Sequence, residues 1–403
     1  MIWDLFAIAF GNLLHRKKRS FLTIIGIFIG ITAVVALISL GQGLSVAVNS
    51  EFEKIGKDKL IVFPGGVGMA ALLTSAVLEK RDVDAIHKVN GIVGVAGIIS
   101  KSVKVDSGKE SQTLQVLGIP VDKTKTIVEQ FFSLEPSSGR LFDSSDRYKC
   151  IVGNQLAKND NVFVKGLKVG DTLGIKGFSC KVVGITTSSG DPMTERGVFI
   201  PISAAKEIFQ TENYFRIIAK VGEGFVPGDL VEGVKEKLRK ARDVKKDEED
   251  FSVQTSENIV SSFNTIFGII QAVVIGLAAI SLLVGGIGIM NTMYTAVMER
   301  TREIGIMKAV GARNSEITTI FLIESGFLGL VGGIVGFLLG FGLSKLVEFI
   351  AVNFYENNLL QAYFPPELII GSLLFSFVVG VASGVFPAMQ AAKLKPVDSL
   401  RYE

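Results

Sequence analysis

Four long windows without any aspartate, glutamate, lysine or arginine dominate the pattern of hydrophobic and polar positions. They cover residues 20–50, 258–298, 325–344 and 368–392. Because a helix needs about 20 predominantly apolar residues to cross a bilayer, the pattern predicts four transmembrane helices. The first window is much longer than the apolar part of a signal peptide, roughly 7–15 residues. No small-x-small cleavage site ends it, so we expect a retained anchor.

Basic residues flank these windows unevenly. They cluster at 15–19 before the first window, at 300–313 between the second and third, and at 393–401 after the fourth, whereas the loop at 351–366 has neither lysine nor arginine. Under the positive-inside rule, both termini and the segment between spans two and three are cytoplasmic. The sequence therefore predicts a multi-pass protein of the plasma membrane, with the segment between spans one and two outside the cell.

That outer segment alternates short β-like runs with amphipathic helical runs, separated by turn residues. The patterns predict strands at 58–66, 101–108, 112–120, 149–153, 171–177, 179–187 and 196–201, and helices at 81–89, 202–210 and 228–244. About 200 residues are enough to bury a core. The predicted fold is an α-helical membrane protein with four transmembrane helices. A large mixed α+β extracytoplasmic domain is inserted between spans 1 and 2.

The second window is too long for the bilayer. A continuous helix over residues 256–298 would reach about 60 Å at ~1.5 Å per residue, twice the ~30 Å hydrocarbon core, which predicts a helical stalk on the outer side. The first element has an apolar stripe and a basic end. It either lies along the inner leaflet or extends the first span.

The predicted organisation follows from these patterns. It comprises an interfacial N-terminal helix (1–19), transmembrane helix 1 with its stalk (20–53), the extracytoplasmic domain (54–255, with a β-rich subdomain at about 135–200), a stalk with transmembrane helix 2 (256–298), a cytoplasmic helix (299–316), transmembrane helix 3 (317–350), a short outer loop (351–366), transmembrane helix 4 (367–392) and a cytoplasmic tail (393–403).

The composition favours a membrane protein and argues against several classes of function. Hydrophobic residues make up 48% of the chain, and 44 glycines fit spanning helices, in which glycine is common. A net charge of +3 does not favour a nucleic-acid partner. Two cysteines and two histidines are too few for a metal cluster. No G-x-x-x-x-G-K-[ST] phosphate loop occurs, and no catalytic constellation emerges. We therefore expect no catalytic residue, no metal and no directly bound cofactor.

Two cysteines and one acid are unusual for their positions along the chain. Cys150 and Cys180 lie in strand-like runs of the outer segment. An oxidising exterior would permit a disulfide between them, but each fits equally well as a small buried apolar residue. Glu324 is the one acid well inside a predicted span. A carboxylate there is costly, and a basic neighbour near the cytoplasmic end is expected to pair with it.

Glycines also recur every four residues within the spans, at Gly26 and Gly30, at Gly329 and Gly333, and at Gly380 and Gly384. Such spacing lets helices approach closely. Packing within one subunit is a better explanation than a dimer seam at any single pair.

The stretch "MERTREIGIMKAVGARNSEI", residues 298–317, separates the second and third spans. Ile304, Met307 and Val310 recur at helical spacing among acids and bases, and Gly311 is placed to end the helix. A solvated connector that only sets orientation would not need both charge signs at this density together with an apolar stripe. The pattern favours a short cytoplasmic helix that fits a partner's groove, with charges fixing the register.

This stretch resembles the E-R-x-x-E-I-G-x-x-K-A-x-G-A signature of MacB/FtsX-type ABC transporter permeases. "NLLHRKKRSFLTIIGIFIGITAVVAL" resembles that family's first span, and "GVFPAMQAAKLKPVDSLRYE" resembles its C-terminal ending. "FEKIGKDKLIVFPGG" and "GVFIPISAA" fit its outer domain. The resemblance covers essentially the whole chain.

The resemblance implies a permease without a fused ATPase, working with a separate cytoplasmic ABC ATPase dimer that uses ATP. It also implies two permease copies whose outer domains move, and it leaves an extracytoplasmic adaptor open. The ATPase-coupling residues implied by the signature and its basic flank are Arg300, Arg302, Glu303, Ile304, Gly305, Lys308, Ala309, Gly311 and Ala312. Met307 stands where the family commonly has a basic residue.

Export is the first functional hypothesis. A transmembrane signal transmitter that controls an extracellular hydrolase is an alternative, and so is a permease that releases lipoproteins, since both share these motifs. The bulky outer segment favours transport.

Overall fold

The structure is a computed structural model that describes residues 17–65, 76–189, 191–355 and 360–400. The interfacial helix predicted at 1–19 lies outside the described residues except for its last three, which begin the first helix. The described helices are α1 (Lys17–Ile55), α2 (Lys80–His87), α3 (Lys125–Phe131), α4 (Pro192–Glu195), α5 (Ile202–Phe209), α6 (Pro227–Arg242), α7 (Ser256–Glu299), α8 (Thr301–Ala309), α9 (Asn314–Tyr355), α10 (Pro366–Lys393) and α11 (Pro396–Leu400).

The described strands all lie between α1 and α7. They are β1 (Lys59–Pro64), β2 (Ile92–Ser107), β3 (Glu110–Ile119), β4 (Pro136–Gly139), β5 (Lys149–Val152), β6 (Thr172–Ile175), β7 (Phe178–Thr186), β8 (Val198–Pro201), β9 (Arg216–Val221) and β10 (Phe251–Thr255).

Four described helices are long and apolar enough to cross a membrane, namely α1, α7, α9 and α10. All the described strands fall between the first and second of them, in a mixed α/β domain. This confirms the predicted fold of four spans with a domain inserted after the first. Helix α7 has 44 residues, which at ~1.5 Å per residue corresponds to about 66 Å.

The chain divides into two compact units, one of residues 1–45 and 265–403 and the other of residues 46–264. We call the first the membrane unit and the second the outer domain. In the membrane unit, helices approach through paired glycines. A Cβ on Gly26 of α1 would lie 2.7 Å from the Cα of Gly285 in α7, and a Cβ on Gly329 of α9 would lie 2.9 Å from the Cα of Gly380 in α10. These glycines therefore pack spans of one subunit against each other.

The segment before α10 is fixed to two of the spans. The backbone N–H of Tyr363 donates to the carbonyl oxygen of Ser39 in α1 at 3.2 Å. The N–H of Ala362 donates to the Glu348 Oε2 of α9 at 3.1 Å. The described part of the connection between spans three and four is therefore held against the helices by its own backbone.

The described strands of the outer domain form one ten-stranded sheet. Its order is β10-β1-β9-β2-β3-β8-β5-β7-β4, and β6 pairs with both β2 and β7. The pairs β3–β8 and β5–β7 are parallel, and the others are antiparallel. The β-rich portion predicted at about 135–200 is thus joined to the rest of the sheet through the pairs β3–β8 and β2–β6. It packs around an apolar cluster that includes Leu156, Phe163 and Val182.

The sequence patterns missed several elements of this domain. Strand β2 begins at Ile92 rather than at Lys101, and β4, β9, β10, α3 and α4 were not predicted. Strand β9 lies between β1 and β2 with most of its side chains buried. A central strand buried on both faces lacks the alternation of apolar and polar residues that signals a half-buried strand.

Candidate functional site

The charged block between the second and third spans forms helix α8, bounded by two breaks in the backbone. Helix α7 ends at Glu299, and Arg300 departs from helical geometry with φ −105° and ψ 17°. At the other end, Gly311 has φ +105°. A non-glycine residue is strained in that left-handed region, so Gly311 ends the turn that leads into α9. The predicted helix end at Gly311 therefore agrees with the structure.

One face of α8 is buried in the membrane unit. The side chain of Ile304 is fully buried and belongs to an apolar cluster with Val297, Ile317 and Phe321. Thr301 and Gly305 are buried beside it. Ile304 was expected in a partner-facing stripe, and this interpretation was wrong. Residues three apart drift around a helix of 3.6 residues per turn, so a stripe that starts at Ile304 ends on a different face at Val310.

Lys308 also faces the chain itself rather than solvent. Its Nζ donates to the carbonyl oxygens of Ala392 and Leu394, both at 2.7 Å. These carbonyls belong to the C-terminal end of α10, where the last carbonyls of a helix have no intrahelical partner. A positive charge is also favourable there because of the helix dipole. Lys308 thus ties α8 to the end of the fourth span.

Arg300 links α8 to the third span. Its Nη1 donates to Glu324 Oε2 at 3.0 Å, and its Nε donates to Glu303 Oε2 at 2.9 Å. Its guanidinium carbon lies 5.5 Å from the ring centroid of Phe321. The acid inside the span therefore has a basic partner from the segment that joins α7 to α9, as the sequence led us to expect.

The remaining side chains of α8, together with Val310 directly after it, form an exposed face. It consists of Arg302, Glu303, Ile306, Ala309 and Val310. Val310 is 85% exposed and Ile306 is 49% exposed. Since these positions fall within about 120° of the helix circumference at ~100° per residue, they present two apolar side chains beside one base and one acid. Ala312 is half-buried and packs against the apolar cluster that contains Ile304.

The two cysteines lie together in the outer domain. Cys150 in β5 and Cys180 in β7 are both buried free thiols. A hydrogen bond with Cys180, which stabilises the protonated form, and burial together hold the pKa of the Cys150 thiol well above its ordinary value. In this state the two side chains act as small core residues, which is the second of the two alternatives that the sequence left open. No group of three or more histidine, cysteine, aspartate or glutamate side chains that could hold a metal occurs in the described ranges.

Comparison with known proteins matches two family descriptions to this chain. The MacB-like periplasmic core domain matches residues 20–241, and the FtsX-like permease C-terminal domain matches residues 275–396. The second match contains α8 and both of its bounding breaks.

Relatives in several organisms match over nearly the whole chain. An ABC transporter permease of Methanocaldococcus jannaschii is 36% identical over 99% of this chain and 98% of its own length. The permease YknZ of Bacillus subtilis is 31% identical over 98% of both chains. The macrolide export ATP-binding/permease protein MacB 2 of Aeromonas hydrophila is 31% identical, and the match spans 100% of this chain and 61% of that protein.

Among solved structures, the periplasmic region of MacB from Actinobacillus actinomycetemcomitans is 17% identical. It covers 54% of this chain and 97% of its own, with a TM-score of 0.45.

Proposed function

Since the chain belongs to the MacB/FtsX-type family of ABC transporter permeases, we propose that it couples ATP hydrolysis by a separate cytoplasmic ATPase dimer to movement of its outer domain. The observation that carries this proposal is the division of α8 into an exposed mixed face and a face fixed to three spans. The chain itself carries out no catalysis in this proposal, and ATP is bound by the partner.

The exposed face of α8 supports the contact with the ATPase. Ile306 and Val310 offer apolar area for a groove, while Arg302 and Glu303 set the register through charges of opposite sign. Ile306 and Val310 are four residues apart and therefore adjoin each other on the helix surface.

The buried face supports transmission of movement. A displacement of α8 acts on α9 through Arg300 and Glu324, and on α10 through Lys308. It acts on α7 through the cluster around Ile304. Helix α7 is continuous from Ser256 to Glu299, and a stiff helix passes a displacement along its axis. In our proposal both termini are cytoplasmic, two permease copies move together, and an extracytoplasmic adaptor can join the assembly.

Export is the activity that we propose for this assembly, with substrate handled on the outer side. Relatives named as macrolide export proteins support this choice. Control of an extracellular hydrolase and release of lipoproteins would use the same coupling element, and they differ in what the outer domain contacts.

Purification from native cells in mild detergent tests the proposal, because the chain's partners can be identified and counted. We expect a P-loop ATPase at one-to-one stoichiometry in an assembly of two permeases and two ATPases. A captured small-molecule or lipoprotein cargo would then separate export from lipoprotein release. If the chain comes alone, or with a hydrolase and no ATPase, the proposed coupling role is contradicted.

A further inference from the structure

We infer that Arg216 anchors an anion-binding site in the outer domain, which takes a carboxylate- or phosphate-bearing ligand with an apolar part. The site is separate from the coupling helix and goes beyond the proposed function. It lies where the first residue of β9 meets the end of β1 and the end of α3.

Aromatic rings hold the Arg216 guanidinium in place. Its central carbon lies 4.8 Å from the ring centroid of Phe63 in β1 and 5.4 Å from that of Phe131 in α3. The ring of the neighbouring Phe215 lies 5.3 Å away. Arginine stacks on aromatic faces through its planar guanidinium. The rings therefore fix the plane of the donor group before any ligand arrives.

The Nε donor of this guanidinium is unused among the residues that the structure describes. The Nε of Arg216 is buried and has no hydrogen-bond partner there. Arginine carries five N–H donors and no acceptor, and leaving a buried charged donor unsatisfied costs free energy. Such a group is expected to gain from a ligand that can accept its hydrogen bonds.

Arg242, whose buried side chain lies in the same domain, has hydrogen-bond partners for its guanidinium and provides a comparison. Its Nη1 donates to Asp82 Oδ2 at 2.7 Å, and its Nη2 donates to Asp250 Oδ2 at 2.5 Å. Both nitrogens also donate to the carbonyl oxygen of Val77 at 3.1 Å. That network joins α6 to α2 and β10, which is a structural task. Arg216 makes no comparable bonds within the described ranges.

The carboxylate of Asp191 acts on Arg216 through its charge, but its hydrogen bonds are made with other residues. Burial lowers the pKa of Arg216 from its ordinary value to about 10, and the charge of Asp191 opposes this shift. The Asp191 carboxylate accepts hydrogen bonds from the N–H of Met193 and from the N–H and hydroxyl of Thr194. Asp191 therefore favours the charged form of Arg216 without accepting a hydrogen bond from its guanidinium.

The donor geometry and the rings together define the class of ligand. A guanidinium fork binds a carboxylate or a phosphate through paired hydrogen bonds. Phe215 is 37% exposed, so an apolar group attached to the anion would have an aromatic surface to cover. Organic carboxylates and organic phosphates share this chemistry, and two probes distinguish them.

The test measures thermal unfolding of the full chain in detergent with benzoate, with phenyl phosphate and with neutral benzamide. We expect an anionic probe to raise Tm saturably, by roughly 2–4 °C when it exceeds its Kd about fivefold, while benzamide leaves Tm unchanged. A rise with benzoate assigns a carboxylate ligand, and a rise with phenyl phosphate assigns a phosphate. If neither anion raises Tm, the inference is overturned.

Two substitutions locate the effect. Arg216→Met keeps the side-chain volume and removes the charge, so we expect Tm without probe to stay the same or rise and the response to the anion to disappear. Arg216→Lys keeps the charge without the fork, and we expect the response to weaken. The matched control, Arg242→Met, breaks a satisfied network and should lower Tm of the unliganded chain. A response that survives in Arg216→Met, or a loss of Tm in that variant as large as in Arg242→Met, would contradict a binding role.

Discussion

The Nζ of Lys308 lies 2.7 Å from the carbonyl oxygen of Leu394, the residue that follows helix α10. A charged residue of the family signature thus makes a contact within the chain. It fastens the short helix α8 to the end of the last span. The coupling element that we propose is therefore a surface mounted on three membrane helices, and the exposed and buried residues of α8 should respond differently to substitution.

Replacing Lys308 with methionine tests this fastening. Methionine keeps most of the aliphatic volume and removes both charged hydrogen bonds, so we expect a loss of about 1–3 kcal/mol in the free energy of unfolding. Lys395→Met changes a lysine nearby and should have little effect. Thermal or denaturant unfolding in detergent measures both variants. Equal stability of the two would show that the Lys308 bonds do not hold α8 to α10.

The sequence shows Lys308 within the family signature, but it does not predict which groups the Lys308 side chain contacts. Periodicity places a residue on one side of a helix, but which side is buried depends on how α7, α9 and α10 surround it. The stripe of Ile304, Met307 and Val310 was detected, and its orientation was misjudged for the same reason. The spans themselves were predictable because a charge-free window of about 20 apolar residues matches the thickness of the bilayer core.

The pair of Arg300 and Glu324 should be energetically coupled. The Nη1 of Arg300 and the Oε2 of Glu324 are 3.0 Å apart, and both side chains are largely shielded from solvent. A double-mutant cycle with Arg300→Gln and Glu324→Gln is expected to give a coupling free energy of about 0.5–3 kcal/mol.

The exposed pair of Glu236 and Lys240 provides the comparison for that cycle. These residues are four apart on α6, and such helix-surface pairs contribute about 0.2–0.5 kcal/mol. A coupling for Arg300 and Glu324 no larger than this would mean that their contact does not stabilise the join between α8 and α9.

The two buried thiols should be chemically silent in the folded chain. Because the pKa of Cys150 is raised by its hydrogen bond with Cys180 and by burial, little thiolate is available at pH 8, and burial blocks access of the reagent. We expect no alkylation by iodoacetamide in the folded state and two alkylations after unfolding without reductant. If alkylation after unfolding requires a reductant, the cysteines form the disulfide that their extracytoplasmic setting permits.

Membrane orientation can be measured with single introduced cysteines. Lys109 is exposed at the turn between β2 and β3, so Lys109→Cys should react with an impermeant thiol reagent in intact cells. Arg302→Cys, on the exposed face of α8, should react only after lysis. The reverse pattern would place the outer domain in the cytoplasm and would remove the basis for the proposed coupling.

Within the outer domain, the sequence predicted the mixed character and many of the strands. It missed β9, whose continuous apolar run does not alternate, and with it the significance of Arg216. A single arginine ahead of "IIAKV" carries no motif. Only the packing of Phe63 and Phe131 around it reveals a half-buried arginine whose buried Nε has no partner among the described residues.

The most direct test of the proposed coupling is site-specific photocrosslinking from the exposed face of α8. A photoreactive side chain at Val310 should capture the cytoplasmic ABC ATPase in native membranes. The same group at Ile370, an exposed apolar position of α10 in a spanning helix, should not. Capture of the ATPase at Val310 alone is the result that the coupling role predicts. Absence of the ATPase at Val310, or equal capture at both positions, would contradict it.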